Sequence, residues 1–590
     1  MLFQAPPPPT AFVDVAVLTM DQPGVQEHQT VLVKNGRVFW VGPAQQAPAS
    51  KGYRIIDGRG QFLLPGFSDM HTHPGRPLDL VTYLANGVTT IRVMWGNTGT
   101  VGWRTAVAAG TLAGPRIVTS GAIIDGSPPS QPSMTVLTDA AKARAEVTAQ
   151  HQAGFDFIKV YNSVPKAVYD TIVRVARGLG MPVAGHVPFE VGLGGALAAK
   201  QASIEHLRGY IAELVPKDAA VQPGATLRSR TVAWNYIDRS RFPALVEQTV
   251  RAGVWNTPTF VVAYHMMLPD SAYRALVQRP EVKLFPGQGA PDRSKISFLA
   301  DFTEADFAEA QRALVPQLEL ARALANGGAK LMIGTDSWLQ GYAYHDELLL
   351  FERAGFSPAE VLRIATRSGP EFLGTARTEG AVAAGQVANL QLVGGNPLES
   401  LGNLKDRRGV MAQGRWYSAA DLQARLAPGA PRPEDVSTID GIIAAYYDVV
   451  SGPAGSIPDQ ARDQTLHHPN ARIALLNRKA DGTTSADMVT LAEYYQRTGT
   501  GPRKAGFFER EIHRTTERIG SLVHVWSTYE ASDQPVGGKT HRGINSIQLY
   551  WDGSRWWVLG WVFDDDRHGL KIPARYLPTA RGSAPASGAH

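Results

Sequence analysis

At 590 residues the chain is longer than one hydrophobic core ordinarily serves, so two or three domains are expected. Its 44% hydrophobic and 19% charged content is ordinary for a globular protein, and the formal net charge of +5 is spread along the chain rather than gathered in basic blocks, which argues against a nucleic-acid partner. The absence of cysteine excludes disulfides, thiolate metal ligands and a Cys nucleophile, and no run approaches the ~18 apolar residues of a membrane span.

The opening Met1-Leu2-Phe3-Gln4 and the prolines Pro6 to Pro9 carry neither the cationic nor the apolar region of a signal segment. A bacterial cytoplasm and a periplasm, the latter with a signal already removed, both fit. From about Phe12 to Leu63 short runs alternate apolar and polar residues between glycines, as in Thr30-Val31-Leu32-Val33 and Arg37-Val38-Phe39-Trp40-Val41, and predict small antiparallel strands. From Leu63 onward apolar runs alternate with helical patterns such as Ala140-Ala153 and Lys166-Leu179, the texture of βα units. Eight strands are predicted: Phe62-Met70, Thr89-Met94, Arg116-Ser120, Phe155-Tyr161, Pro182-His186, Ala202-His206, Val254-Phe260 and Lys330-Thr335. Eight such repeats fit a (β/α)8 TIM barrel, whose functional groups sit at the carboxyl ends of strands. The long segment from about Tyr264 to Pro316 is a candidate lid or pocket wall.

Short strands return after Ala381 and are expected to pair with the N-terminal ones. The domain plan is therefore a small β-sandwich side domain from residues 10-62 and 380-426, a barrel over 63-379, and a Pro-rich linker over 427-436. A C-terminal unit over 437-577 opens on a helix from Ile439 to Val450 and a second near Asp459 to His468. It ends on a hairpin turning at Asp552-Gly553, and a disordered tail over 578-590 follows.

The stretch Leu64-Pro65-Gly66-Phe67-Ser68-Asp69-Met70-His71-Thr72-His73-Pro74 ends a strand with two histidines one residue apart. Residues i and i+2 of a strand share a face, so His71 and His73 aim at one point, a placement suited to a divalent metal. Lys159, His186, His206 and Asp336 lie at or near the ends of the fourth, fifth, sixth and eighth predicted strands. Such strand ends bring residues distant in sequence to one barrel mouth. Tyr161, Tyr264, Arg208 and His265, with Arg76 and Tyr210, stand beside or beyond strand ends and are candidate substrate contacts.

This constellation resembles the amidohydrolase superfamily of metal-dependent hydrolases, from about Val13 to Tyr417. The Pro-Gly-Phe-x-Asp-x-His-x-His opening, Gly334-Thr335-Asp336, Leu362-Arg363-Ile364-Ala365-Thr366 and the strand from Gly385 to Leu392 carry the resemblance. Gly185-His186-Val187-Pro188 and Ser203-Ile204-Glu205-His206-Leu207 are most similar to the imidazolonepropionase-like branch, which includes dipeptidases. The resemblance implies two divalent ions, zinc by expectation, one held by His71, His73 and Asp336 and the other by His186 and His206. It further implies that Lys159 bridges them as an N-carboxylated side chain. A metal-bridging hydroxide then attacks an amide- or peptide-type carbonyl of a small molecule or short peptide, and Asp336, as catalytic residue, carries the proton to the leaving nitrogen. Alternatives are a lactonase or phosphotriesterase-like hydrolase on the same metals, and a mononuclear deaminase, which usually carries a Glu near the strand-five His, where Glu190 lies four residues after His186. A non-catalytic binding protein is the reading from another class, and the full set of ligand types speaks against it.

Two departures stand out. Lys159 is followed by Val160-Tyr161-Asn162-Ser163-Val164-Pro165 where many peptidase relatives have a Gly-Gly stretch, and Ala388-Asn389-Leu390 replaces the usual Ala-Asp-Leu. The C-terminal unit resembles the cone-shaped α+β fold of nuclear transport factor 2 and ketosteroid isomerase, through Ala444-Ala445-Tyr446-Tyr447, Leu466-His467-His468-Pro469-Asn470-Ala471 and its Trp-rich hairpin. That resemblance implies subunit association, hence a homo-oligomer through this domain, or a role in shaping the entrance.

Overall fold

The computed structural model describes residues 7–224, 226–284, 293, 296, 299, 302–426, 431–478, 483–499, 501, 503–534, 538–569 and 571–578. The chain divides into two compact units, residues 1–426 and 427–590. No helix among the described residues is long and apolar enough to cross a membrane.

The first unit contains a circle of parallel strands. They are β1 (Phe67–Thr72), β2 (Val88–Val93), β3 (Arg116–Thr119), β4 (Ile158–Val160), β5 (Val183–Gly185), β6 (Ser203–Glu205), β7 (Trp255–Thr257) and β8 (Lys330–Leu331). Ladders join β1 to β2, β2 to β3, and β4 through β8 in sequence. A bridge between Ser120 and Phe157 links β3 to β4. The chain after β8 returns to β1, with Met70 N donating to Ile333 O at 2.9 Å and Asp336 N to His71 O at 2.7 Å. Helices fill the connections and bury one stripe each: in the helix Lys166–Gly178 the residues Val168, Tyr169, Ile172, Val175 and Ala176 recur at helical spacing and pack on Ile158, Val160 and Val183.

The predicted first strand, Phe62-Met70, is two strands. Phe62–Pro65 belongs to a side sheet and Phe67–Thr72 to the circle. The chain crosses between them at Gly66, whose N–H donates to Asn389 O and where a Cβ would stand 2.3 Å from Thr89 Oγ1. Only glycine passes so close.

The side sheet takes strands from both flanks in one continuous ladder rather than two separate layers. Its order is Arg415–Ser418, Arg407–Ala412, Leu390–Val393, Phe62–Pro65, Thr10–Val17, Gln26–Lys34 and Arg37–Pro43, with Arg54–Asp57 also on Thr10–Val17. Phe12 meets Trp416 edge to face at 5.2 Å, although their strands stand four places apart in the sheet, roughly 19 Å if it were flat. The sheet therefore curls on itself and encloses its own core of Phe12, Val31, Leu63, Leu390 and Met411.

The segment expected as a lid or wall contains the helices Phe260–Met266 and Asp270–Val277 and the start of Glu304–Asn326, which continues through Pro316. Residues 285–292 and several up to 301 lie outside the described residues.

The second unit packs the helices Ile439–Val450, Gln460–Leu466 and Leu491–Thr498 with a six-stranded sheet. The sheet order is Thr484–Val489, His467–Arg478, Trp556–Asp565, Thr540–Trp551, Leu522–Ser532 and Phe508–Ile519. The expected linker over 427-436 is corrected in its second half. Pro433–Val436 is helical, Val436 is buried in this unit's core, and Asp435 pairs with Arg462 at 2.7 Å. Residues 427–430, and the expected tail apart from Pro578, lie outside the described residues.

A chain ended at Leu426 is expected to fold and to bind metal as the full-length protein does, since each unit has its own core. Elemental analysis and circular dichroism of the truncated protein test this; a folded truncation without metal would overturn it.

Candidate metal centre

His71 is the penultimate residue of β1 and His73 lies just past its end; Lys159 lies in β4; His186, His206 and Asp336 stand beyond β5, β6 and the β8 segment. The backbone bends sharply there. His206, Leu207, Thr259 and Asp336 take φ of 59°, 51°, 51° and 48°, a region non-glycine residues rarely occupy and which clusters at functional sites. Gly185, at φ 130°, lets β5 run close against β4, since a Cβ would lie 2.3 Å from Val160 O and 3.0 Å from Lys159 Cδ.

These residues converge. Ligand atoms of His71, His73 and Asp336 all lie within 4.8 Å of one another. Asp336 Oδ1 is 3.0 Å from His73 Nε2 and 3.7 Å from His71 Nε2, and its Oδ2 is 3.6 Å from His206 Nε2. The His206 ring centroid lies 4.8 Å from that of His71 and 4.9 Å from that of His186, and Lys159 Nζ is 3.5 Å from His71 Nε2.

Three imidazoles are fixed through Nδ1. His71 donates to Glu205 Oε2 at 2.8 Å and His186 to Asn162 Oδ1 at 2.7 Å. His206 donates to Thr259 Oγ1 at 2.5 Å, because that hydroxyl spends its own proton on Pro258 O. In each ring the proton sits on Nδ1, leaving the Nε2 lone pair for the centre.

Burial, reinforced by the Lys159 charge, pushes His71 down to about 4, and burial with the neighbouring cations holds His186 and His206 well below the ordinary histidine range. Burial also lowers Lys159 to about 8, although Glu205 and Asp336 act in the opposite sense. Burial alone would raise Asp336, but His71, His73 and His206 hold it well below the usual carboxylate range. His71, His186 and His206 are thus neutral imidazoles beside an ionised carboxylate, the protonation a metal site needs.

The six residues form the floor of a cavity of about 1220 Å³. Tyr161 and Arg208 line it, Tyr161 stacked on His186 at 3.8 Å between centroids. Tyr264 and His265 do not, which corrects the expectation. On the helix Phe260–Met266 the cavity takes Val262, Ala263 and Met266, and the opposite face carries Tyr264 into the core and His265 to Asp346 at 3.1 Å. Arg76 is turned to Asp79, Tyr210 is buried against Thr249 and Asn256, and exposed Glu190 accepts from Lys166 N, all away from the cavity.

Residues 62–417 match the Amidohydrolase family. The chain belongs to that family. Over 62 residues the chain is 39% identical to the imidazolonepropionase of Idiomarina loihiensis, a match covering 10% of the chain and 15% of that relative. The chain thus spans about 15% of the length of the first curated relative it matches. Among solved structures it resembles a bottromycin amidohydrolase at 25% identity and a TM-score of 0.55, covering 72% of this chain and 89% of the other. The ochratoxinase of A. niger aligns at 17% identity and a TM-score of 0.52, covering 72% and 99%.

The sequence alone did not mark the residues that hold the candidate ligands in place. Arg92 and Glu205 pair at 2.8 Å without exposure to solvent. Arg92 also donates to Met70 O at 2.6 Å and Ser203 Oγ at 2.9 Å. Burial would raise Glu205, but Arg92 and His71 hold it well below its ordinary value. Asp69 accepts from Thr335 Oγ1 at 2.7 Å and from His71 N at 3.3 Å, and burial pushes it up to about 7. The available signal was a charged residue inside an apolar strand, as in Thr90-Ile91-Arg92-Val93.

Glu205→Gln leaves the Arg92 guanidinium buried without its counter-charge and weakens the hold on His71. A stability loss of roughly 3–5 kcal/mol is expected in denaturant titration, together with reduced metal content. Wild-type stability with full metal content would contradict this account.

Proposed function

We propose that this chain is a binuclear metal-dependent hydrolase cleaving an amide- or peptide-type C–N bond in a small molecule or short peptide. The observation that carries the reading is the convergence of His71, His73, Lys159, His186, His206 and Asp336 on one cavity floor, with three Nε2 lone pairs left free. Family membership and the likeness to the bottromycin amidohydrolase support a C–N bond as the target. The strand circle reads as a (β/α)8 barrel. The second unit, with the helix Ile439–Val450 packed on its sheet through Tyr446 and Trp561 at 5.8 Å, reads as a nuclear transport factor 2-like domain.

The donor set fits divalent ions of the zinc type, since it offers imidazoles and a carboxylate and no thiolate. His71, His73 and Asp336 would hold one ion, and His186 and His206 the other. Lys159 would join them as an N-carboxylated side chain, because an ammonium has no lone pair for a cation and burial favours the neutral amine that adds carbon dioxide. When bound, the ions supply Lewis acidity toward the carbonyl and bring the pKa of water down toward ~7. Asp336 takes the proton at a carboxylate oxygen and delivers it to the leaving nitrogen. The Nδ1 bonds of His71, His186 and His206 keep the rings from turning, and the cavity walls limit the water around the reacting bond.

Purified protein is expected to contain about two divalent ions per chain by elemental analysis, as a binuclear site requires. Lys159→Ala is expected to lose the metal between the histidines, and a short carboxylic acid is expected to restore part of it. Full metal occupancy in Lys159→Ala would rule out the bridging role. Asp336→Asn keeps shape and an oxygen donor, so most metal should remain while kcat falls by roughly 10²–10⁴. An unchanged kcat would assign the proton transfer to another group.

A further inference from the structure

One wall of the cavity is a proline-bearing strap, residues 126–134, of which Pro128, Pro129, Ser130, Gln131 and Met134 line the space above the cluster. Both its ends are tied beside β4. Ile124–Asp125 and Thr135–Val136 pair with one another, and Ile124 pairs with Val160. The buried Asp125 carboxylate accepts from Gly126 N at 2.9 Å and Ser163 N at 2.7 Å through Oδ1, and from Ser130 N at 2.8 Å through Oδ2. A Cβ at Gly126 would stand 1.7 Å from Ser163 O, so the strap lies hard against the chain that leaves β4. Pro128, Pro129 and Pro132 fix φ along it and leave few other shapes. A short path runs from this strap to a candidate ligand. Ser130 Oγ accepts from Asn162 Nδ2 at 3.3 Å, and Asn162 Oδ1 accepts from His186 Nδ1 at 2.7 Å. Asn162 is itself buried, and its backbone carbonyl accepts from Phe189 N at 2.8 Å, in the segment that follows His186.

We propose that Asn162 is a positioning residue for the ion on the His186 side, and that the strap sets Asn162 through Ser130, so that this cavity wall and that ion stabilise one another. The inference rests on the binuclear reading above and deepens it at one of the two ions. An imidazole ligates through Nε2 only while its proton stays on Nδ1, and that proton needs an acceptor. A side-chain amide carries an acceptor on one edge and donors on the other. With Nδ2 engaged on Ser130, the Asn162 amide is held in the plane that keeps Oδ1 on the ring. His71 takes its support from Glu205, which the pair with Arg92 already fixes, whereas His186 takes its own through a wall of the cavity. Coupling of this kind is reciprocal: the free energy that the strap lends to ion binding is the free energy by which the bound ion steadies the strap.

The test titrates metal-free full-length protein with zinc against a chromogenic chelator and follows amide hydrogen exchange over residues 126–134 in parallel. Asn162→Ala is expected to weaken one of two zinc equivalents by roughly 10- to 100-fold and to leave the other unchanged. Asn162→Asp still accepts from the ring N–H and is expected to keep most of the wild-type affinity. Ser130→Ala, which removes no contact to a candidate ligand, is expected to weaken the same equivalent by a smaller factor. The second equivalent of zinc is expected to slow exchange in the strap of wild type and to leave it unchanged in Asn162→Ala, a response that a residue serving the fold alone would not give. Two zinc equivalents bound alike by wild type and Asn162→Ala overturn the inference and leave the binuclear reading standing. Strap exchange indifferent to zinc, or Ser130→Ala binding zinc as wild type does, overturns the link to the strap. Wild type that binds a single zinc overturns the binuclear reading, and this inference with it.

Discussion

Arg92 and Glu205 form an ion pair with no access to water, directly beneath the cluster. Two charges in such a place are tolerable only if nearly every donor and acceptor is used. Here they are. Arg92 reaches β1 through Met70 O, β6 through Ser203 and Glu205, and β7 through Thr257, while Phe157 and Phe372 lie against its guanidinium. Glu205 uses its other oxygen on His71. One guanidinium therefore ties three strands together and, through one carboxylate, sets the first histidine. The same residues keep the circle of strands in register and hold a candidate ligand in orientation.

Asp69 plays the matching part on the other side of β1. Its carboxyl receives Thr335 Oγ1, Thr335 N and His71 N, joining β1 to the segment that carries Asp336. The stretch after β8 has little ladder of its own, and these bonds, with Asp336 N on His71 O, bring the circle to a close. Closure and the pairing of His71 with Asp336 are consequently one structural event.

The division of labour between strands and connections follows. Strand ends supply a rigid floor, and the long connections after β6 and β7 supply walls of differing character. The first brings the cations Arg208 and Arg230 with Trp234; the second brings Val262, Ala263, Met266 and Met267. A floor held by buried polar bonds tolerates little change, whereas walls built on connections vary without disturbing it.

The linear chain was enough to reveal the alternation of strands and helices, the placement of His71, His73, Lys159, His186, His206 and Asp336 at strand ends, and the family. Each of these is written in local pattern: a period, a spacing, a residue at the edge of an apolar run. Tertiary structure decided the rest. The passage at Gly66 from one sheet to another depends on Thr89 lying across the path. Tyr264 and His265 left the candidate substrate contacts because the rotation of one helix about its axis, set by packing against the core and by Asp346, chose Val262 and Met266 for the cavity. The helical Pro433–Val436, in a stretch that composition marks as linker, depends on Arg462 being within reach of Asp435. The supporting partners Glu205, Asn162 and Thr259 escaped notice because a hydrogen bond to a histidine ring is a property of distance in space, and Thr259 stands 53 residues from His206 along the chain. Local pattern determines which residues arrive at the end of a strand; only the closed circle determines which of them face one another.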